Sequence, residues 1–209
     1  MKKLIVAMTI AVSLAAPSAF AQAKNFEGLS ITGNLNLIST TTEISLSSNS
    51  LNGLGQEATN ASLQAAYSLL FSDTALLSIG GTYNVADVDA GRITAGGTPA
   101  SLKIQNGMSL YVEPGILYGE RNLGYAKVSY NRGTVKAIGS SQGSSAETSI
   151  TQDITGIGFG FGLRLLLSRN SFLQVEVNRI QFGGARFAGD TTDFKVKSTL
   201  GSVGFGYKF

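Results

Sequence analysis

Ile157-Gly-Phe-Gly-Phe-Gly-Leu-Arg-Leu165 puts a bulky apolar residue at every second position, with only glycine or arginine between. Successive side chains on a strand point to opposite faces, so this stretch has one apolar face and one nearly bare face. The glycines at 156, 158, 160 and 162 superficially suggest a nucleotide-binding loop. Such a loop follows a strand and opens a helix, and strict alternation with Ile157, Phe159 and Phe161 gives neither context. They read instead as small positions along a single strand.

The same alternation recurs over 29–37, 61–69, 77–85, 108–116, 126–130, 173–177 and 203–209, making eight segments in all. Opposite the apolar positions stand Ser, Thr, Asn, Gln and Gly with isolated charges, as in Ser30, Thr32, Asn34 and Asn36. The connections are as informative. Those at 70–74, 118–122 and 168–171 are tight and carry turn residues such as Ser72-Asp73 and Arg169-Asn170. Those at 42–57, 87–106, 132–150 and 183–192 are long and rich in Gly, Ser, Thr and Asn. Long and short alternate strictly, so one end carries loops and the other turns, the polarity of a transmembrane barrel.

Composition excludes the competing classes. Charged residues make up 14% of the 209-residue chain, which holds 26 Gly and no Cys, His or Trp. Beyond the N-terminus there is no apolar run long enough for a membrane helix. A disordered chain would be poorer in aliphatic and aromatic residues. A soluble sandwich or barrel would carry many charges on its second face. The expectation is therefore all-β: an eight-stranded antiparallel up-and-down transmembrane β-barrel, whose closed ladder pairs every backbone group facing lipid.

The N-terminus reads as an export signal. Met1-Lys2-Lys3 is its positive start, residues 4–16 its apolar stretch, Pro17-Ser18 its break, and Ala19-Phe20-Ala21 its cleavage motif. Cleavage after Ala21 is expected, with Ala23 the second acceptable site, dividing the chain into a signal peptide (1–21) and a barrel domain (22–209). Without Lys2 and Lys3, 14 basic residues (16 minus 2) face 13 acidic ones, a balance that gives no reason to expect nucleic acid. The absence of cysteine rules out disulfides and a lipoprotein anchor.

Glu113, Lys127, Arg164 and Glu176 are charges on the polar faces of four consecutive strands. Buried charges must be partnered, so an ion-pair network plugging a narrow lumen is expected, with a narrow ion path as its alternative. A Ser or Thr nucleophile usually needs a histidine base, so no enzyme is expected. With neither His nor Cys, no transition metal is expected, and no cofactor.

The C-terminal stretch Gly201-Ser-Val-Gly-Phe-Gly-Tyr-Lys-Phe209 resembles the last strand of OmpA/OmpX-type outer-membrane barrels. Tyr111-Val-Glu-Pro-Gly115 and the hairpin over 156–178 also look like porin-like members of that family. The resemblance implies that Phe205, Tyr207 and Phe209 form the assembly signal read by the barrel-assembly machinery after export chaperones deliver the chain. It implies a Gram-negative outer membrane, with long loops extracellular and the short turns and both mature termini periplasmic. Outer-membrane lipid and lipopolysaccharide would surround the wall. The function expected is structural or surface-interacting through four extracellular loops, whose Arg92, Lys103, Arg132, Lys136, Arg186 and Phe187 point to no particular ligand. The alternative is a narrow porin-like channel for ions or small solutes, since eight strands enclose room for side chains or one small ligand. Tyr67, Phe71, Tyr118, Phe172 and Phe209 are expected as an aromatic belt near the turn end, and Pro114 at a bulge.

Deleting Phe209 is expected to lower the yield of membrane-assembled barrel, read from heat-modifiable mobility on gels. Removing residues from 140–145 should lower it less, and equal yields would remove the C-terminal signal.

Overall fold

The computed structural model describes residues 25–46, 49–95, 98–140, 147–185 and 193–209. Ala19 and Ala21 of the expected export signal lie outside them, as do Arg186 and Phe187. Among the described residues the chain forms nine strands. They are β1 (Gly28–Leu46), β2 (Asn49–Leu70), β3 (Ala75–Asn84), β4 (Val88–Ala95), β5 (Thr98–Tyr118), β6 (Asn122–Ser140), β7 (Glu147–Leu166), β8 (Ser171–Ala185) and β9 (Asp193–Lys208). No described helix is long and apolar enough to cross a membrane.

The strands make one antiparallel sheet in the order β3-β2-β1-β9-β8-β7-β6-β5-β4, closed by pairing of β3 with β5. β3 and β4 lie end to end along β5. β3 runs from Ala75↔Ile116 to Tyr83↔Met108, and β4 from Val88↔Ile104 to Ala95↔Thr98. They are one stave broken at residues 85–87, so the closed up-and-down barrel has eight staves, matching the eight alternating segments.

Two expectations need correction. Where described, the long connections over 42–57, 87–106 and 132–150 are mostly strand, and most of 183–192 lies outside the described residues. β1 and β2 stay paired from Gly28↔Ser68 to Leu46↔Asn49, and β6 and β7 from Asn122↔Leu165 to Ser140↔Glu147. These segments are polar, with scattered Thr, Val and Ile such as Thr42, Ile44, Thr134, Val135 and Ile138, and pairing with the partner strand holds their backbone extended. Nor does Pro114 make a bulge. β5 pairs with β6 at Val112↔Val128 and again at Gly115↔Tyr125, in an unchanged register. Proline removes a donor there without inserting a residue. The register shifts instead between Gln105 and Met108, where Asn106 adopts a left-handed φ of 52°. Asparagine tolerates that region better than most residues.

The apolar face points outward. Leu35, Leu110 and Phe159 are 68%, 71% and 62% exposed, while Thr32, Gln64, Ser78, Ser129 and Gln174 are buried inside. An apolar belt of this extent around a monomer demands a hydrocarbon environment. The outward apolar residues run from Ile157 along β7 to Leu167, the residue just past its end. At about 3.4 Å per residue and a tilt of about 40°, that spans about 26 Å, the height of a barrel's hydrocarbon belt.

Beyond the belt the faces exchange character. Outward positions become Ser39, Thr41, Arg132, Thr134, Asp153 and Thr155, and the buried inward ones include Ile38, Ile154 and Ile180. The inward face is thus small and polar only within the belt. Above it, β7 continues from Ile157 to Glu147, about 26 Å of further wall by the same geometry, built as a water-soluble barrel would be.

Nitroxide labels at Leu163 and Val175 should be relaxed by oxygen and shielded from aqueous nickel chelates. A label at Thr151, outward but above the belt, should show the reverse. Aqueous access at all three sites would remove the belt.

Candidate functional site

The four inward charges meet in the middle of the lumen. Glu113 on β5, Lys127 on β6, Arg164 on β7 and Glu176 on β8 are 0%, 4%, 4% and 6% exposed. They form a chain of alternating sign. Arg164 Nη2 donates to Glu113 Oε2, and Lys127 Nζ lies 3.4 Å from Glu113 Oε1 and donates to both Glu176 oxygens at 3.0 Å. With two acids and two bases the layer is neutral, the condition under which low dielectric is tolerable.

Neutral side chains complete it. Arg164 Nε donates to Gln174 Oε1 at 2.7 Å, and Gln174 Nε2 donates to Gln64 Oε1 at 3.2 Å. Gln64 Nε2 in turn donates to Glu113 Oε1 at 3.4 Å, and the Tyr125 hydroxyl to Glu176 Oε2 at 2.9 Å. Lys127 Nζ sits 4.1 Å from the centroid of the Tyr111 ring, and the Arg164 guanidinium 4.6 Å from that of Tyr125, both within cation–π range. These rings lie inside because glycine leaves them room: a Cβ on Gly80 would strike the Tyr111 hydroxyl, and one on Gly162 that of Tyr125. The alternating glycines are hollows for side chains reaching across from other staves.

On the turn side, an apolar cluster of Phe26, Leu76, Leu123, Tyr125, Leu166 and Phe172 fills the bore. Phe26 belongs to the segment before β1, so the chain's entry into the barrel stoppers its own mouth. Phe172 is a correction. It was expected in the outer aromatic belt, but its position on β8 faces inward and it is buried, its ring occupying the space a Cβ on Gly206 would need. Tyr67, Phe71, Tyr118 and Phe209 do face outward.

On the hairpin side, a cavity of about 100 Å³ descends to Lys127 and Glu176 between Asn34, Asn36, Asn131 and Asn178. Asn34 Oδ1 and Asn178 Oδ1, both buried, make no hydrogen bond to protein. Polar walls and this volume suit a few water molecules. The upper walls are largely apolar, from Ile38, Ile104, Ile180, Phe182 and Leu200, with the hydroxyls of Thr40 and Ser198 paired at 3.3 Å among them. Among the described residues the lumen is therefore a cup, closed below its cavity by ion pairs and then by apolar side chains.

At the rim, Arg132 Nη2 donates to Asp153 Oδ2 at 2.7 Å, and Thr134 Oγ1 to Asp153 Oδ1 at 2.9 Å. The hydrogen bond from Arg132, then that from Thr134, holds the Asp153 carboxyl below the usual carboxylate range. The C-terminal residues lie on the outer wall. Phe205 and Tyr207 pair with Gly33 and Ile31 of β1, Tyr207 meets Phe209 edge-on at 5.2 Å, and Phe209 N donates to Leu29 O at 2.9 Å. The last strand thus closes the barrel.

The partners Gln64, Gln174 and Tyr111 had one sequence signal, their place on a polar face, while Tyr125 lies just before the alternating segment 126–130. Phe26 had none, because it precedes the alternating pattern.

Glu113→Gln is expected to destabilise the barrel by roughly 3 kcal/mol or more, since two buried cations would share one carboxylate. Urea unfolding in micelles would measure it. Glu113→Gln with Arg164→Met restores neutrality and should cost less than the two single changes summed.

The family profile described as "Outer membrane protein beta-barrel domain" matches residues 4–209. Among solved structures, Neisserial surface protein A is similar at 15% identity and a TM-score of 0.52, over 88% of this chain and 98% of that one. The attachment invasion locus protein Ail of Yersinia pestis, crystallised with the heparin analogue sucrose octasulfate, aligns at 16% identity and a TM-score of 0.48, over 88% and 100%. OprG of Pseudomonas aeruginosa aligns at 14% and 0.38, over 88% and 96%. At such identities the likeness to the Neisserial protein shows the fold alone. No curated protein sequence matches the chain.

Proposed function

Because the chain belongs to the outer membrane protein beta-barrel domain family, we propose that it is a closed, non-catalytic outer-membrane scaffold whose tall crown of hairpins carries surface interactions. The observation that carries this reading is the double closure of the bore. A neutral layer of buried ion pairs is followed by an apolar stopper of Phe26, Leu76, Leu123, Leu166 and Phe172. Ions must leave water to cross the first and find no partner in the second. The part available to partners is the wall above the belt, and loops and edges on a rigid scaffold are the usual place for recognition.

The orientation follows from the same reading. The turn end and both mature termini face the periplasm, and the crown faces outward, with lipid and lipopolysaccharide around the belt. Phe205, Tyr207 and Phe209, on the strand that closes against β1, serve as the signal for the barrel-assembly machinery. Export chaperones deliver the chain after its signal peptide is removed at Ala21. The lack of histidine supports a non-catalytic role, since a hydroxyl nucleophile would have no imidazole to activate it.

A narrow ion path is the second reading. It is favoured by one observation: the cavity from the hairpin end reaches Lys127 and Glu176 directly. Planar-bilayer recording separates the two. The scaffold predicts no stable openings from the purified protein. Ion-selective openings that change with Glu113→Gln would replace it by the channel.

A further inference from the structure

At the turn end, just beyond the hydrocarbon belt, two cations stand without counter-charges. Arg121 lies in the turn between β5 and β6 and Arg169 in the turn between β7 and β8, and both are exposed. Among the described residues no carboxylate lies within ion-pair distance of either, whereas Lys127, Arg132 and Arg164 each have one. Both turns are held in place. Leu166 N donates to Arg121 O at 2.8 Å, strapping the first turn to the end of β7. In the second, the Ser168 hydroxyl accepts from Asn170 N at 3.3 Å and Ser171 N at 3.1 Å, and Asn170 Nδ2 donates to Lys208 O at 2.9 Å. The two arginines border one pocket of about 300 Å³, which reaches Leu166 of the apolar stopper and Asn25 of the entering chain. Glu120 also borders it and is engaged in an interaction of its own.

A furrow leads from the Arg121 turn into the belt. β6 leaves that turn with Asn122, Gly124 and Ala126 at its outward positions. Beside them β5 carries Tyr118 and Ile116, and β7 carries Leu165, Leu163 and Phe161, all facing outward. β5 and β7 stand about 9.6 Å apart across β6. With no large side chain between them, the gap has the width of one hydrocarbon chain. A Cβ on Gly124 would meet Tyr118 Cε1 at 3.6 Å and Leu163 Cδ2 at 3.7 Å, so the walls are close on both sides. Small residues alone would leave only a gap that any alkyl chain fills. This gap leads to two guanidiniums, groups that bind a phosphate through charge-assisted and often bidentate hydrogen bonds.

We propose that the pocket and the furrow together dock one anionic phospholipid of the leaflet at the turn end. Its phosphodiester lies between Arg121 and Arg169, and one of its acyl chains lies over Gly124 and Ala126. A zwitterionic lipid brings its own ammonium to the phosphate, so it attracts two unpaired cations less than a net-anionic lipid does. The bound headgroup also covers Asn25, beside the stopper residue Phe26, and braces the chain where it enters the barrel. The site gives chemical identity to one of the lipids that the proposed function places around the belt. That this leaflet is the periplasmic one rests on the orientation proposed above.

The test uses the full chain purified from membranes in dodecyl maltoside micelles. Native mass spectrometry reads the lipid retained when dioleoylphosphatidylglycerol or dioleoylphosphatidylcholine, which share their acyl chains, is added. The wild-type chain should hold one phosphatidylglycerol about thirtyfold more tightly than phosphatidylcholine, about fivefold for each guanidinium brought to an anionic charge. Arg121→Gln with Arg169→Gln should bring the two lipids level. No preference in the wild-type chain, or one that survives the double substitution, would overturn the site. If the double variant does not assemble, Arg169→Gln alone should lower the preference about fivefold, and an unchanged preference would again overturn it. Gly124→Leu, whose Cβ meets no atom closer than 3.6 Å, fills the furrow and should weaken phosphatidylglycerol binding; unchanged binding would overturn the place given to the acyl chain. Glycerophosphoglycerol, the same headgroup without chains, separates a lipid from a free phosphate ester. Displacement of the lipid at equal concentration would overturn the lipid as the occupant. Orientation is checked separately by labelling Thr151→Cys on intact cells with an impermeant maleimide. Failure to label would overturn the periplasmic placement, whereas the lipid preference in micelles is independent of orientation and tests the site itself.

Discussion

A wall one backbone thick has to satisfy a different medium on each side, and every other feature of this protein follows from that. Hydrocarbon accepts neither a charge nor an unpaired amide, so the ladder must close on itself through β1–β9 and β3–β5. The inner side is no freer. Eight staves enclose a space that side chains must fill, and a charge placed there must bring its counter-charge from another stave. Glu113 has Lys127 beside it on the neighbouring stave and Arg164 two staves away, and the layer they make with Glu176 is compact because glycines 80 and 162 give up their volume to tyrosines.

Where the wall leaves the belt, both media change and the residues change with them. Outside, leucine and phenylalanine give way to Thr134, Asp153 and Thr155; inside, asparagines give way to Ile38, Ile154 and Ile180. A membrane barrel and the base of a water-soluble barrel are thus stacked on the same strands. The stacking explains why a lumen with a charged middle has an apolar upper lining, and why the chain invests so many residues in strands longer than a bilayer requires. Strands of 19 to 22 residues in β1, β2, β5, β6 and β7 are about twice the length needed to span hydrocarbon.

The closure of the bore is asymmetric. Its floor is apolar and built partly from Phe26, outside the barrel proper, whereas its middle is ionic and, among the described residues, a cavity lies above it. A vessel closed at one end presents its contents and its rim to one compartment. Recognition at the crown suits that shape.

Period-two alternation is a local property, written in neighbours along the chain, and it sufficed to count the staves and sort their faces. It also put Glu113, Lys127, Arg164 and Glu176 on the inner side, along with Gln64, Gln174 and Tyr111. Who meets whom was decided elsewhere. That Arg164 reaches Glu113 across the lumen and that Phe26 stoppers the mouth depend on register and shear, which are properties of the closed sheet, whereas the alternation of Leu173, Val175 and Val177 already puts Phe172 on the inner face. The crown escaped the sequence reading because its polar composition describes the water around it, whereas its backbone obeys the hairpin partner it pairs with. The break at 85–87 and the extra residue at Asn106 arise in the same way, from the staggered fit of three neighbouring strands that no single one of them encodes.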